Sequence, residues 1–323
     1  MLVAVLVVFC NLITSIHVFS EENIATFSVA PIYSEHQSQG VNNFYDIVWT
    51  PSFDEEFAVK ITNNTDEEQS YTISVNKART NNNGIIDYSD SSPESEDAKY
   101  KLTEMIKLEE EVTLEANSSK IIEGKLLFPD EDFDGILMAG IYISQIIDTD
   151  EESTVSSLIS YNIPFIVRGN IDVRPNPILT FSSLTIEKDD SDTSTFYVTL
   201  DNQGPNLMKS VTISAEIVNE SGETILTQER VIDVTPETIF SYPIETTSSI
   251  DYGKYNMLIT VKHNENNEWT FQESFDIPSE ANDNHNLDTM QTQKYQRVSV
   301  SILIGCIAIL LTIITIKIKK SLK

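Results

Sequence analysis

Cysteine is almost missing from this sequence: 2 among 323 residues, Cys10 and Cys306, each inside a long apolar run near one end. Nothing between those runs can form a disulfide, which excludes the small cystine-stapled class of secreted domain. The same absence points to a bacterial surface and makes the Asn-x-Ser/Thr triplets at Asn63, Asn117 and Asn219 chance matches rather than glycan sites. Histidine is equally sparse. His17, His36, His263 and His285 are the 4 present, and none stands at the spacing of a metal site or a catalytic triad.

Positive charge is the third shortage. Residues 21–296 carry 16 of the 21 Lys and Arg against all 50 Asp and Glu, a net charge of −34. Such a surface does not bind nucleic acid or an anionic membrane through bulk charge; it keeps the chain in solution and suits a basic partner. A convincing helical period is also lacking outside the two ends.

The ends carry the long apolar runs. Leu2–Val18 has no charge and is followed by Phe19, Ser20 and then Glu21-Glu22, so a signal peptide over 1–20, cut after Ser20, is expected. No Lys or Arg precedes the run, and an uncleaved anchor is the alternative. Val298–Ile316 is an uncharged run long enough to cross about 28 Å of hydrocarbon as a helix, and is expected to span the membrane. Lys317, Lys319, Lys320 and Lys323 then form a basic cytoplasmic tail over 317–323. The polar stretch 279–297 reads as a stalk of at most about 60 Å. The expected location is thus the cell membrane, single-pass, with the body of the chain outside.

Between the ends the pattern has period two. Short runs rich in Val, Ile, Thr, Tyr and Phe recur at 57–62, 71–76, 120–128, 136–144, 160–167, 195–200, 210–218, 254–261 and 270–277, separated by Asn, Asp, Pro and Gly. This grammar predicts an all-β chain of two tandem immunoglobulin-like sandwiches, 24–168 and 171–277, divided at Arg168-Gly-Asn-Ile-Asp-Val-Arg-Pro-Asn-Pro177. A faint internal echo supports two units: VKITNNTDEEQSYTISVN (59–76) and VTLDNQGPNLMKSVTISAEIVN (198–219) both run strand, Asn-containing turn, then a Thr-Ile-Ser strand.

Two stretches imitate functional sites. RTNNNGIIDYSD (79–90) resembles a calcium loop, but Arg79 stands where the first carboxylate belongs, and Asn83-Gly84 between extended segments is a hairpin signal. A turn is expected, with no metal. The acids Asp130, Glu131, Asp132 and Asp134 could evoke glycosidase chemistry, yet that requires two carboxyls facing each other across a sugar, and adjacent acids mark a solvated turn. No enzyme and no cofactor are expected.

With these residues in view, the segments FSVAPIYSEHQSQGVNNFYDIVWTP, VKITNNTDEEQSYTISVNKARTNNNGIIDYSD and VTLEANSSKIIEGKLLFPDEDFDGILMAGIYIS resemble the N-terminal domain of the WxL-interacting proteins of Gram-positive bacteria. LDNQGPNLMKSVTISAEI, FSYPI, YGKYNMLITVKH and WTFQESFDI resemble that family's second domain. The resemblance implies a surface scaffold whose first domain binds peptidoglycan and whose second binds host extracellular proteins, with WxL-domain surface proteins as further partners. The alternative is a plain adhesin, or a chaperone-like sandwich holding a partner by strand addition. Neither a WxL motif nor an LPxTG-type sorting signal occurs in the chain. For sugar contacts the aromatics are Phe44, Tyr45, Trp49, Tyr88 and Tyr142; Phe44 and Phe133 are expected in the core, while Tyr45 and Tyr88, next to acids and turns, are expected exposed and ligand-binding.

Overall fold

The computed structural model describes residues 25–278 except 51–53, 97, 129–130, 147–158, 189–192 and 248. The expected signal peptide, stalk, membrane helix and basic tail lie outside the described residues. Within them the chain is all-β, and the helix described, α1 (Leu102–Met105), is a single turn.

Two sheets enclose the first core. One has the order β1-β3-β9-β7, formed by β1 (Phe27–Ile32), β3 (Glu55–Asn63), β9 (Ser119–Leu126) and β7 (Ile106–Leu108). The other has the order β2-β11-β10-β4-β8, formed by β2 (Tyr45–Val48), β11 (Ser160–Arg168), β10 (Ile136–Gln145), β4 (Gln69–Lys77) and β8 (Glu111–Leu114). Alternation along the strands decides what faces inward: Phe57, Val59 and Ile61 from β3 meet Tyr71 and Ile73 from β4 and Ala139, Ile141 and Ile143 from β10. Pairing is antiparallel except between β2 and β11, where Tyr45 stands opposite Phe165 in a parallel register.

The second unit repeats the plan with β12 (Leu179–Lys188), β13 (Ser194–Asn202) and β16 (Thr238–Glu245) facing β15 (Thr224–Val234), β14 (Met208–Asn219), β17 (Gly253–Asn264) and β18 (Asn267–Ile277). Phe196, Val198 and Leu200 of β13 point into a second, separate core with Ile213 and Ile217 of β14 and Met257 and Ile259 of β17.

The internal echo has a structural counterpart. Asn63 ends β3 and Asn202 ends β13, and both are fully buried. The Asn63 amide nitrogen donates to the carbonyls of Glu67 (2.7 Å), Leu114 (3.2 Å) and Glu115 (3.1 Å). That of Asn202 donates to the carbonyls of Thr235 (2.8 Å) and Asn206 (3.1 Å). Each asparagine thus satisfies backbone acceptors on another part of its own unit, which a buried carbonyl requires. An Asn63 nitrogen so committed is no glycan acceptor.

RTNNNGIIDYSD forms a hairpin, as its Asn-Gly pair predicts. β5 (Arg79–Thr80) and β6 (Ile86–Asp87) pair antiparallel around Asn81–Gly84, and Gly84 takes a φ of 73°. The Asn81 side-chain oxygen accepts from the amides of Asn83 (3.0 Å) and Ile85 (3.2 Å), and Arg79 pairs with Asp90 (3.0 Å). The oxygens that suggested calcium therefore hold the turn together.

The hairpin also clasps the second unit. The Gly84 carbonyl accepts from the Asp233 amide (2.9 Å), and a Cβ on Gly84 would stand 2.1 Å from Ile232 Cγ2. The Thr80 hydroxyl donates to the Asp233 carbonyl (3.0 Å) and accepts from the Thr235 amide (3.0 Å). Nearby, the Ile136 amide donates to the Pro205 carbonyl (2.9 Å). A small apolar cluster of Ala78, Tyr88, Met138 and Ile166, flanked by Leu207 of the second unit, seals the junction.

Candidate functional site

The structure moves the two candidate tyrosines inside. Tyr45 is 0% exposed; its ring stacks on Phe165 (4.9 Å between centroids) and its hydroxyl donates to the Ala58 carbonyl at 2.5 Å. Burial raises its pKa far above the phenolic range. Tyr88 is 8% exposed, lies over Gly140 of β10, and is pushed up to about 12 by the same desolvation. The expectation of exposed rings is corrected for both.

The reason is local. Tyr45's acidic neighbour is itself buried: Asp46 is 2% exposed and takes a two-pronged ion pair from Arg168, with Nε at 2.7 Å and the second nitrogen at 2.6 Å. The Ser38 hydroxyl adds a bond to Asp46 (3.1 Å). Asp46 in turn holds Arg168 above the usual arginine value. An acid beside an aromatic on a strand thus signals exposure only when no cation follows it inside. Phe133 lies in the core as expected, while Phe44 is half-buried against the small junction cluster.

The place where side chains converge is instead the cleft between the units, about 460 Å³. Its first wall is the segment before α1, carrying Lys99 and Tyr100, and the loop entering β10, carrying Asp132, Phe133 and Asp134 with Leu137 behind them. Its second wall comes from two turns of the other unit, Pro205 between β13 and β14 and Glu237 between β15 and β16. Phe133 and Leu137 are buried and give an apolar floor. The Tyr100 ring leans on Phe133 at 5.5 Å and 49°, and Trp49 also meets Phe133, edge-on at 6.4 Å. The Lys99 ammonium lies 4.9 Å from the Tyr100 centroid and 3.1 Å from Glu131.

Asp132 and Asp134 are exposed, as a solvated acidic turn requires, and both turn their segment toward the cleft. Glu237 sits under two constraints. Its backbone takes a φ of 47°, a conformation that costs a non-glycine residue about 1 kcal/mol or more. Although the residue reaches solvent, partial desolvation raises its carboxyl above the ordinary glutamate value, with Lys77 opposing the effect and Glu94 adding to it. Lys77 and Glu94 form a buried pair (3.3 Å) behind the cleft, and Glu94 also accepts from the Thr103 amide (3.0 Å) and hydroxyl (2.9 Å). Among the described residues no group of three His, Cys, Asp or Glu side chains could hold a metal ion. The cleft offers ring edges, acceptors and one ammonium.

Sequence reasoning singled out Asp132, Phe133 and Asp134 without assembling them. Tyr100, Pro205 and Glu237 carried no local signal, since they lie in turns and are brought together only by the clasp.

Two family models match the chain, the WxL-interacting protein peptidoglycan binding domain over residues 27–145 and the WxL-interacting protein host binding domain over residues 150–287. The second match begins ahead of β11, a strand that belongs to the first core. No curated protein matches the sequence. Among solved structures, similarity extends to the class 5 fimbrial chaperone CfaA (15% identity, covering 78% of this chain and 100% of that one, TM-score 0.29). It extends also to the Salmonella enterica SafA pilin complex with the SafB chaperone (13%, 78% and 97%, TM-score 0.30) and to the E. coli chaperone DraB (14%, 78% and 96%, TM-score 0.30). TM-scores this low establish neither a shared architecture nor a shared role. Both matched families are binding modules, and between them they account for nearly all of the described residues. The chain belongs to the WxL-interacting protein family.

Proposed function

We infer that this protein is a membrane-anchored scaffold of the cell surface that binds peptidoglycan and WxL-domain proteins and presents its second unit to host proteins. The observation that carries the reading is the succession of a peptidoglycan-binding and a host-binding family match along one chain. Two β-sheet pairs, each closed on its own core, support an immunoglobulin-like assignment for both units. The uncharged run 298–316 with its lysine tail supports the anchor.

Charge shapes how the wall would be met. Residues 21–296 carry a net charge of −34, and a wall with anionic polymers repels them, so recognition rests on shape and polar contacts. Residues 21–296 should therefore pellet with purified sacculi, and raising salt from low to physiological strength should leave the bound fraction unchanged or increase it. Binding that collapses as salt rises would refute this reading. For the anchor, truncation after Gln296 should release the protein into the medium; retention in the membrane fraction would show that 1–20 anchors it instead.

A further inference from the structure

The cleft between the two units has the lining of a saccharide site. A pyranose ring presents an apolar C–H face and a rim of hydroxyl donors. A protein that selects it supplies an aromatic or apolar plate for the first and carboxylates for the second. Here the half-buried Tyr100 ring supplies the plate, backed from the core by Phe133, with Pro205 opposite across the cleft. Asp134 and Glu237 approach from different units, and Lys99, fixed by Glu131, adds one donor for a carbonyl such as that of an acetamido group. The volume of about 460 Å³ is on the scale of one or two linked rings.

The charge balance narrows the choice. Asp132, Asp134 and Glu237 against Lys99 leave the cleft negative, which opposes phosphate-rich or uronic polymers and admits a neutral sugar.

The geometry points to this cleft as a binding site for neutral N-acetylhexosamine glycan, shared between the two units, with Tyr100 as the stacking ring, held by Phe133 behind it, and Asp134 and Glu237 as hydroxyl acceptors. The inference rests on the wall-binding reading above and deepens it in one respect: the second unit, through Pro205 and Glu237, takes part in holding the wall. Recognition of the glycan then depends on the Gly84 and Thr80 clasp, because the clasp sets the distance between the walls.

The test uses residues 21–296 and three probes: purified sacculi, a soluble β-1,4-linked N-acetylglucosamine tetramer, and a free wall stem peptide. The unaltered protein should pellet with sacculi and bind the tetramer by calorimetry. Asp134→Asn, Tyr100→Ala and Glu237→Gln should each weaken tetramer binding about tenfold or more. Glu237→Gln should do so without lowering the melting temperature, which separates lost recognition from lost folding. If the unaltered protein pellets but the three variants bind tetramer and sacculi as it does, or if it takes the stem peptide and not the tetramer, the cleft assignment is wrong while wall binding stands. If the unaltered protein fails to pellet at all, the wall-binding reading fails, and this site with it.

Discussion

Replacing Gly84 with alanine tests the clasp against an internal standard. Gly84 has a φ of 73°, and Gly40, in the loop between β1 and β2, has a φ of 82°. The backbone penalty of an added side chain is therefore similar at both, about 1 kcal/mol. The surroundings differ. A Cβ at Gly40 meets nothing within 4 Å, whereas at Gly84 it would stand 2.1 Å from Ile232 Cγ2 and 2.6 Å from Ile232 Cβ. Ile232 is 2% exposed and packed in the second core, so it cannot swing aside. The hairpin must lift, which strains or breaks the 2.9 Å bond from the Asp233 amide to the Gly84 carbonyl. Overpacking of this kind costs about 1–3 kcal/mol, so Gly84→Ala should destabilise by about 2–4 kcal/mol in all and Gly40→Ala by about 1. The two tryptophans make a convenient assay, since Trp49 packs on the first core and Trp269 on the second. In urea, at a slope of about 2 kcal/mol per molar, the Gly84 variant should unfold at a midpoint about 1–2 M below that of the unaltered protein, and its two tryptophan transitions should separate. Equal midpoints for the two variants would refute the claim that the hairpin bears on the second unit.

Two further outcomes follow from the charged groups. Asp46→Ala should destabilise by about 2–3 kcal/mol, less than for a fully buried pair because Arg168 reaches solvent, and should be read by the Trp49 transition alone. Glu237→Gln should be slightly more stable than the unaltered protein at neutral pH, the gain kept small because Glu237 reaches solvent, and equal to it near pH 4. The sign follows from the raised carboxyl: protonated glutamate suits the folded site better, so its contribution is full below the ordinary value of 4.5 and is lost as pH rises through the raised folded value. Lys77 and Glu94, the charged groups that act on Glu237, are common to both proteins, and a pH-independent difference in melting temperature between the two would refute the argument.

The strands that sequence reveals best are those buried on one full face. Along β13 every second residue from Ser194 to Asn202 is buried, and β14 alternates from Val211 to Ile217, so periodicity finds both. The strands it passes over are edges. β15 buries only Ile232 and Val234, near one end, and β12 buries only Leu179, because an edge strand has solvent where a central strand has neighbours. β10 is found at 136–144 by its composition rather than by burial on one face: Met138 and Gly140 lie under the junction cluster while Ala139 and Ile141 face the core, so both faces are covered. The cleft was invisible for a different reason. Its residues are spread from Lys99 to Glu237 through unrelated turns, and no local pattern records which turns meet. Tyr45 shows the same limit in reverse, since the cation that buries its acidic neighbour lies at Arg168, more than a hundred residues away.

β11 lies between β2 and β10, and it follows the point where the second family match begins. The two matched modules therefore share a strand across their boundary. A recombination event joining a foreign second module at residue 150 would carry off the strand that pairs with β2 along its length and covers the flank of β10. What remained would have two open strand edges beside Ile141 and Ile143, a surface that invites aggregation. Only crossovers beyond Arg168 leave both cores whole, and even those must preserve a partner for Gly84 and Thr80. A swap of modules that preserves both cores and the clasp would therefore have to carry the two units as one piece.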